Sequence, residues 1–353
     1  MKALWYLSAA LLFAAACTTE QLELYEHITG IDAEETLGAD LDGDALIGTP
    51  PPVTTTTLPE APEIVATGAT ARFWQLEQNL PAGAADGPTS FIRVDGEILL
   101  YAMHGNGNTY LHRGDSFDTL GPAEWTYGPT GGDADRYGGI ASIVRLDSGE
   151  FLAAIHQESH ADIATIGLAI GDGENWRSLG TVIRGEQLQA SGFRGASLPS
   201  MQLIDEELVI VYENRFGSGR HQEIWHATAD VNDPTNWTVQ GQLFATDGDP
   251  HFYGDTPRLQ RSGVHWLLTY GTDLAFRYRT STDLASWSEP TTISEWPQRW
   301  TQGASGQRQW YAHLLDPQAV SSAEVGAAGI IVEHWIDLDS GERYPQRSDW
   351  RQS

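Results

Sequence analysis

Five tryptophans, Trp125, Trp176, Trp237, Trp287 and Trp350, recur at intervals of 51, 61, 50 and 63 residues, and each closes a segment that begins as an apolar, strand-like run. A period of this length marks an internal repeat of one supersecondary unit. The contexts Gly171-Asp-Gly-Glu-Asn-Trp176, Asp233-Pro-Thr-Asn-Trp237 and Ser281-Thr-Asp-Leu-Ala-Ser-Trp287 each place a turn-forming polar cluster before the indole. A five-bladed β-propeller is the simplest object with this spacing, because each four-stranded blade buries its faces only against its neighbours. The fold class expected is therefore all-β.

Two successive apolar runs are readable in each blade. The first runs are 89–94, 139–146, 197–204, 256–260 and a less regular 312–320; the second are 98–103, 151–155, 208–212, 266–270 and 329–332. Asp95-Gly96, Asp147-Ser-Gly149 and Ser262-Gly263 lie between them as hairpin signals. The blades are expected near 77–130, 131–185, 186–246, 247–295 and 296–350. Only Arg351, Gln352 and Ser353 follow Trp350, whereas 64–76 holds a strand-like run with no blade of its own. That early strand is expected to pair with the last blade and close the ring, which removes open sheet edges.

The N-terminal part has a different character. Lys2, the apolar stretch Ala3 to Phe13 and small residues before Cys17 read as an export signal. Ala14-Ala15-Ala16-Cys17 resembles the lipobox of bacterial lipoproteins, with alanine where leucine is usual three residues before the cysteine. Cys17 is the only cysteine and has no intramolecular disulfide partner, so lipidation accounts for a lone thiol in an exported chain. Residues 18–47 are acidic, with a helix expected near 21–29. Asp40, Asp42 and Asp44 alternate as in the first half of a calcium loop, but Pro50 to Pro52 occupy the place of its closing glutamate, so a solvated acidic turn is the plainer reading. Residues 48–63, rich in proline and threonine, form a stiff linker. The domains expected are a signal over 1–17, an acidic segment and linker over 18–63, and the propeller over 64–353.

The formal charge of −28, from 48 acidic and 20 basic residues with Lys2 the only lysine, repels phosphate backbones and argues against a nucleic-acid partner. Location in the bacterial cell envelope, a lipid anchor and a monomeric propeller are expected, with no required cofactor.

Ionisable residues recur at the ends of the second runs: His104; His156, Glu158 and His160; Glu213 and Arg215; Asp273; Glu333 and His334. A second set opens the first runs: Asp86, Asp133, Asp135, Arg194, Asp255, Arg258 and His313. A hairpin returns to the end at which it began, so both sets are expected around one mouth as a mixed-charge bowl. His156, Glu158 and His160 alternate, which on an extended strand places all three on one side. Ligands so closely spaced on one strand form a poor tetrahedral zinc set, so acid/base work by Glu158, with the histidines tuning its proton affinity, is the stronger expectation.

Asp86-Gly-Pro, Val94-Asp-Gly-Glu-Ile-Leu-Leu-Tyr101 and Ser281-Thr-Asp-Leu-Ala-Ser-Trp287 resemble the five-bladed propeller glycosidases of glycoside hydrolase families 43 and 32, over about residues 77–350. The resemblance implies a base or nucleophile at Asp86 and a second aspartate at Asp133 or Asp135. Its third element, a glutamate opening the third blade as general acid, is missing from Ser191-Gly-Phe-Arg-Gly-Ala-Ser-Leu-Pro199. Either the acid has moved to Glu158 or Glu213, or hydrolysis is lost. Gly167 to Trp176 also resembles the Asp-box turn of sialidase-like propellers, for which Arg194, Arg215 and Arg258 are candidate carboxylate-binding arginines. Tyr137, Phe193, Tyr253 and Trp335 are candidates to stack on sugar faces. The leading expectation is a two-carboxylate glycoside hydrolase; a non-catalytic carbohydrate-binding propeller and a sialidase-like hydrolase are the alternatives.

Overall fold

The computed structural model describes residues 64–72, 85–104, 106–116, 119–132, 134–161, 163–185, 194–215, 222–244, 255–262, 264–272, 275–295, 307–314, 329–337 and 343–352. For 64–72, 85–88, 194, 222, 255, 262, 294–295 and everything from 307 onward, only the main chain is described. The export signal with Cys17, the calcium-like turn at Asp40, Asp42 and Asp44, the linker, Asp133 and Asp273 lie outside the described residues.

The chain is a five-bladed β-propeller. Blade 1 consists of β2 (Ala85–Val94), β3 (Glu97–His104), β4 (Thr109–Gly114) and β5 (Glu124–Tyr127). Blade 2 follows with β6 (Tyr137–Arg145), β7 (Phe151–Glu158), β8 (Ile163–Gly171) and β9 (Trp176–Ile183). Blade 3 comprises β10 (Arg194–Ile204), β11 (Glu207–Arg215), β12 (Gln222–Asp230) and β13 (Thr238–Gln242). Blade 4 comprises β14 (Asp255–Ser262), β15 (His265–Gly271), β16 (Ala275–Ser281) and β17 (Thr291–Glu295). In blade 5, β18 (Gln307–Leu314), β19 (Gly329–Asp337) and β20 (Arg343–Gln352) are completed by β1 (Ile64–Arg72), which pairs antiparallel with β20 as expected.

The burial pattern explains why these runs become these strands. Second strands lie between neighbouring blades and are covered on both faces, so β7 and β15 are buried at every position. The outer strand β13 is mostly exposed. Leu152, Leu168, Met201, Ile210 and Tyr212 form a core between blades 2 and 3, and Tyr101, Ile140, Ile155 and Ala169 one between blades 1 and 2. The tight turn between β2 and β3 uses Asp95 at φ 51° and Gly96 at φ 92°, a left-handed pair that suits a two-residue hairpin.

The tryptophan repeat is real in three blades and different in two. Asp172 and Asp283 accept main-chain N–H groups of the residues two and three positions on, and these bonds hold both carboxyls below the usual carboxylate range. Trp237 and Trp287 then donate their indole N–H to the carbonyls of Pro234 and Leu284. Trp125, the second residue of β5, is instead preceded by Gly121-Pro-Ala-Glu with no such aspartate, and Trp350 lies within β20, the third strand of its blade. The fourth strand of blade 5 comes from β1, so that blade has no turn from third to fourth strand for a tryptophan to close. The first strand of blade 5 also begins earlier than the expected 312, because its polar–aromatic sequence Gln307 to Tyr311 hides it from an apolar count.

Candidate active site

The two sets of ionisable positions do meet at one mouth. In the strand registers Ala85 faces His104, Tyr137 faces Glu158, Ser197 faces Glu213 and Asp255 faces Gly271. Each first strand therefore begins where its second strand ends. Near that mouth every such pair carries a bulge: 85–89 in β2, 140–142 in β6, 197–200 in β10, 255–258 in β14 and 309–311 in β18. A bulge bends the strand and re-aims the residues beside it.

Two of these bulges hold a non-glycine residue at positive φ, Leu198 at 47° and Thr256 at 48°, and each presents its N–H to a side chain of the preceding blade. Leu198 N–H donates to Nδ1 of His156 at 3.3 Å, and Thr256 N–H donates to Oε1 of Glu213 at 2.6 Å. Glu213 is fully buried. Its Oε2 accepts from Ser197 Oγ at 2.8 Å and from Arg215 Nε at 2.7 Å, and forms an ion pair with the second guanidinium arm at 2.6 Å. Each of these donors complements an ionised carboxylate, which makes Glu213 an anchor for Arg215 and a poor proton donor.

His156 faces the same side of β7 as Glu158, two residues on. Burial, with the Arg215 charge adding to it, lowers the His156 pKa to about 3, so the ring is neutral. With Nδ1 accepting from Leu198, its proton sits on Nε2. A neutral imidazole acts on its surroundings through its N–H and its dipole, not through a net charge. Glu158 is the last residue of β7 and is 8% exposed, and its carbonyl accepts from Arg136 N–H at 3.0 Å.

His160 does not share that side. The strand ends at Glu158, Ser159 N–H bonds back to the Ile163 carbonyl, and the chain turns, leaving His160 exposed. Its main-chain N–H donates to Oδ1 of exposed Asp135 at 2.7 Å, so the loop bearing Asp135 is tied to the end of β7. His104 is buried and lies edge-on to Tyr110, ring centroids 4.7 Å apart.

Arg258 is buried, and its guanidinium donates to the carbonyls of Pro199 at 3.0 Å and Thr89 at 3.4 Å. It lines an axial cavity of about 460 Å³ together with Thr89, Ser142, Ser200 and Gln260, and so links blades 1, 3 and 4 instead of presenting itself at the mouth. Glu333 and His334 are also not at a strand end, because β19 continues to Asp337. By bulge register the blade 5 position matching His104, His156, Glu213 and Gly271 is Ile336. For Asp86, Arg194 and Asp255 the main chain lies at the mouth, at or next to the first positions of β2, β10 and β14.

Sequence reasoning missed Ser197 and the N–H groups of Leu198 and Thr256. A bulge leaves no compositional trace, and a positive φ at leucine or threonine runs against local preference. Among the described residues no three His, Cys, Asp or Glu side chains gather as a metal-binding set.

No protein-family model and no curated protein matches this chain. Solved structures do. The catalytic domain of a Coprinopsis cinerea family 62 α-L-arabinofuranosidase superposes with a TM-score of 0.56 at 11% identity, over 79% of this chain and 95% of that one. A family 117 glycoside hydrolase from Zobellia galactanivorans gives 0.56 at 11%, over 82% and 90%. The family 43 endo-arabinanase of Bacillus licheniformis gives 0.54 at 16%, over 74% and 93%. At these identities the likeness establishes the fold, and the resemblance to a family 43-type propeller holds at that level.

Proposed function

We propose that the chain is an exported, membrane-tethered glycoside hydrolase that cleaves glycosidic bonds with two carboxyl groups at the mouth of the propeller. The observation that carries this reading is a buried carboxyl, Glu158, at the same mouth as the main-chain position of Asp86 and the ordered Glu213–Arg215 pair, on a propeller shared with glycoside hydrolases. Glu158 is the general acid that protonates the leaving oxygen, a role its place at the end of β7 at the mouth supports. Asp86 is the base or nucleophile, and Asp135 supports the site from the loop tied to His160. Arg215, held by Glu213, is a hydrogen-bond donor for sugar oxygens.

The test is product release from chromogenic glycosides and from arabinan, galactan and inulin by the full chain beside Glu158→Gln and Asp86→Asn. Activity lost in either variant supports the mechanism; unchanged turnover in Glu158→Gln removes it from the reaction. Tethering is tested separately by palmitate labelling of the wild type and Cys17→Ala. A second reading, a non-catalytic carbohydrate-binding propeller, is favoured by two observations: the third blade opens without a glutamate, and Glu213 is occupied by its own donors. Thermal stabilisation by a glycan without product would select it.

A further inference from the structure

Among the described residues only Trp125, Val239 and Val264 are large hydrophobics with substantial exposure, and Trp125 is the most exposed at 64%. The three belong to different blades, so among the described residues Trp125 is not part of a broad apolar patch of the kind a protein partner covers. Its ring is nevertheless held in place. The indole N–H donates to Oδ1 of Asn108 at 3.3 Å, and Gly128 leaves room for this bond, since a Cβ there would lie 2.3 Å from that same oxygen. Asn108 is itself fixed, its N–H donating to Asn106 Oδ1 at 3.1 Å and its carbonyl accepting from His104 N–H at 2.9 Å. Asn106 in turn donates its side-chain amide to Tyr110 Oη at 2.9 Å.

The position of this cluster gives it meaning. Trp125 pairs with Tyr110 near the start of β4, which is the end of blade 1 at the mouth. The loop carrying Asn106 and Asn108 packs on the approach to β6: Gly138 N–H donates to the Gly107 carbonyl at 2.8 Å, and Arg136 N–H donates to the Glu158 carbonyl at 3.0 Å. A continuous hydrogen-bonded rim thus runs from Trp125 to Glu158. With strands about 4.8 Å apart, the outer strand stands about 14 Å from the inner strand of the same blade.

We propose that Trp125, with Asn106, Asn108 and Tyr110, is a distal sugar-binding platform that holds a polysaccharide chain reaching the mouth from the edge of blade 1. This deepens the glycan-acting reading above and rests on it. A pyranose or furanose ring offers an apolar C–H face to the indole and hydroxyls to the flanking amides and phenol, and both halves of that match are present. The indole N–H is spent on Asn108, so the ring offers a ligand mainly its apolar surface. A platform so far from the inner strands contacts a polymer and not a small glycoside.

The experiment is affinity electrophoresis of the full chain, Trp125→Ala and Trp125→Phe through gels containing arabinan, galactan or inulin, alongside steady-state kinetics on polymer and on a chromogenic glycoside. Loss of the indole is expected to weaken polymer binding about three- to tenfold and raise KM for polymer equally. The kcat and KM for the small glycoside stay unchanged, and phenylalanine restores most of the binding. Wild type retarded by a polysaccharide and Trp125→Ala retarded equally would overturn the platform while leaving the hydrolase reading intact. An equal rise in KM for the small glycoside would also overturn it, as general damage to the site. Wild type retarded by none of the three, with no product from them, would remove both.

Discussion

Acidification tests the placement of His156 directly. In the unfolded chain its imidazole titrates near the ordinary 6.5, whereas in the folded protein burial and the Arg215 charge hold it near 3. Between those values the unfolded state binds a proton that the native state refuses, so this contribution to stability is complete above about pH 6.5 and is lost as pH falls toward 3. At about 1.4 kcal/mol per pKa unit, lowering the pH from 7 to 5 costs about 2 kcal/mol from this one ring. Many other groups titrate over the same range, so the informative quantity is a difference between proteins. Asparagine keeps an acceptor where Nδ1 now accepts from Leu198 but does not titrate. Urea unfolding followed by tryptophan fluorescence at pH 7 and pH 5 should show wild type losing about 2 kcal/mol more than His156→Asn. Equal acid sensitivity in the two proteins would mean that His156 is solvated or charged in the native state, and the reading of the bowl as holding a neutral imidazole would fall with it.

Glu158→Gln should reduce turnover at least about 100-fold with an unchanged melting temperature, measured by initial rates and calorimetry. Arg215→Ala removes the guanidinium paired with the fully buried Glu213 and should destabilise the fold by about 3–5 kcal/mol in urea titration; a smaller cost would mean that its remaining donors Ser197 and Thr256, or water, carry the carboxylate. Arg258→Met leaves the Pro199 and Thr89 carbonyls without this donor and should cost about 2–5 kcal/mol, read the same way.

The ring was legible because blade repetition writes itself into composition: apolar second strands, Asp-Gly hairpins and Asx turns before Trp176 and Trp287 all follow from short-range chemistry. Strand closure by β1 was legible by subtraction, since the last blade lacked one strand and the start of the globular part had one to spare. What could not be read is where alternation stops. His156, Glu158 and His160 look equivalent in sequence, yet a single bond from Ser159 to Ile163 takes His160 off the strand. Glu333 and His334 failed for the opposite reason, because β19 runs on past them through Trp335 and Ile336.

The bulges explain how one repeated frame supports a site made of unlike residues. The position two residues beyond each bulge pair is His104, His156, Glu213, Gly271 or Ile336, one per blade. At two of these positions, His156 and Glu213, the next blade answers with the N–H of a left-handed bulge residue. Leu198 and Thr256 are unfavourable in that conformation, so the strain they carry is offset by bonds that the neighbouring blade supplies. The side chain at this one register position differs from blade to blade while the strand frame is kept, and at His156 and Glu213 a hydrogen bond from the following blade fixes the acceptor that stands there.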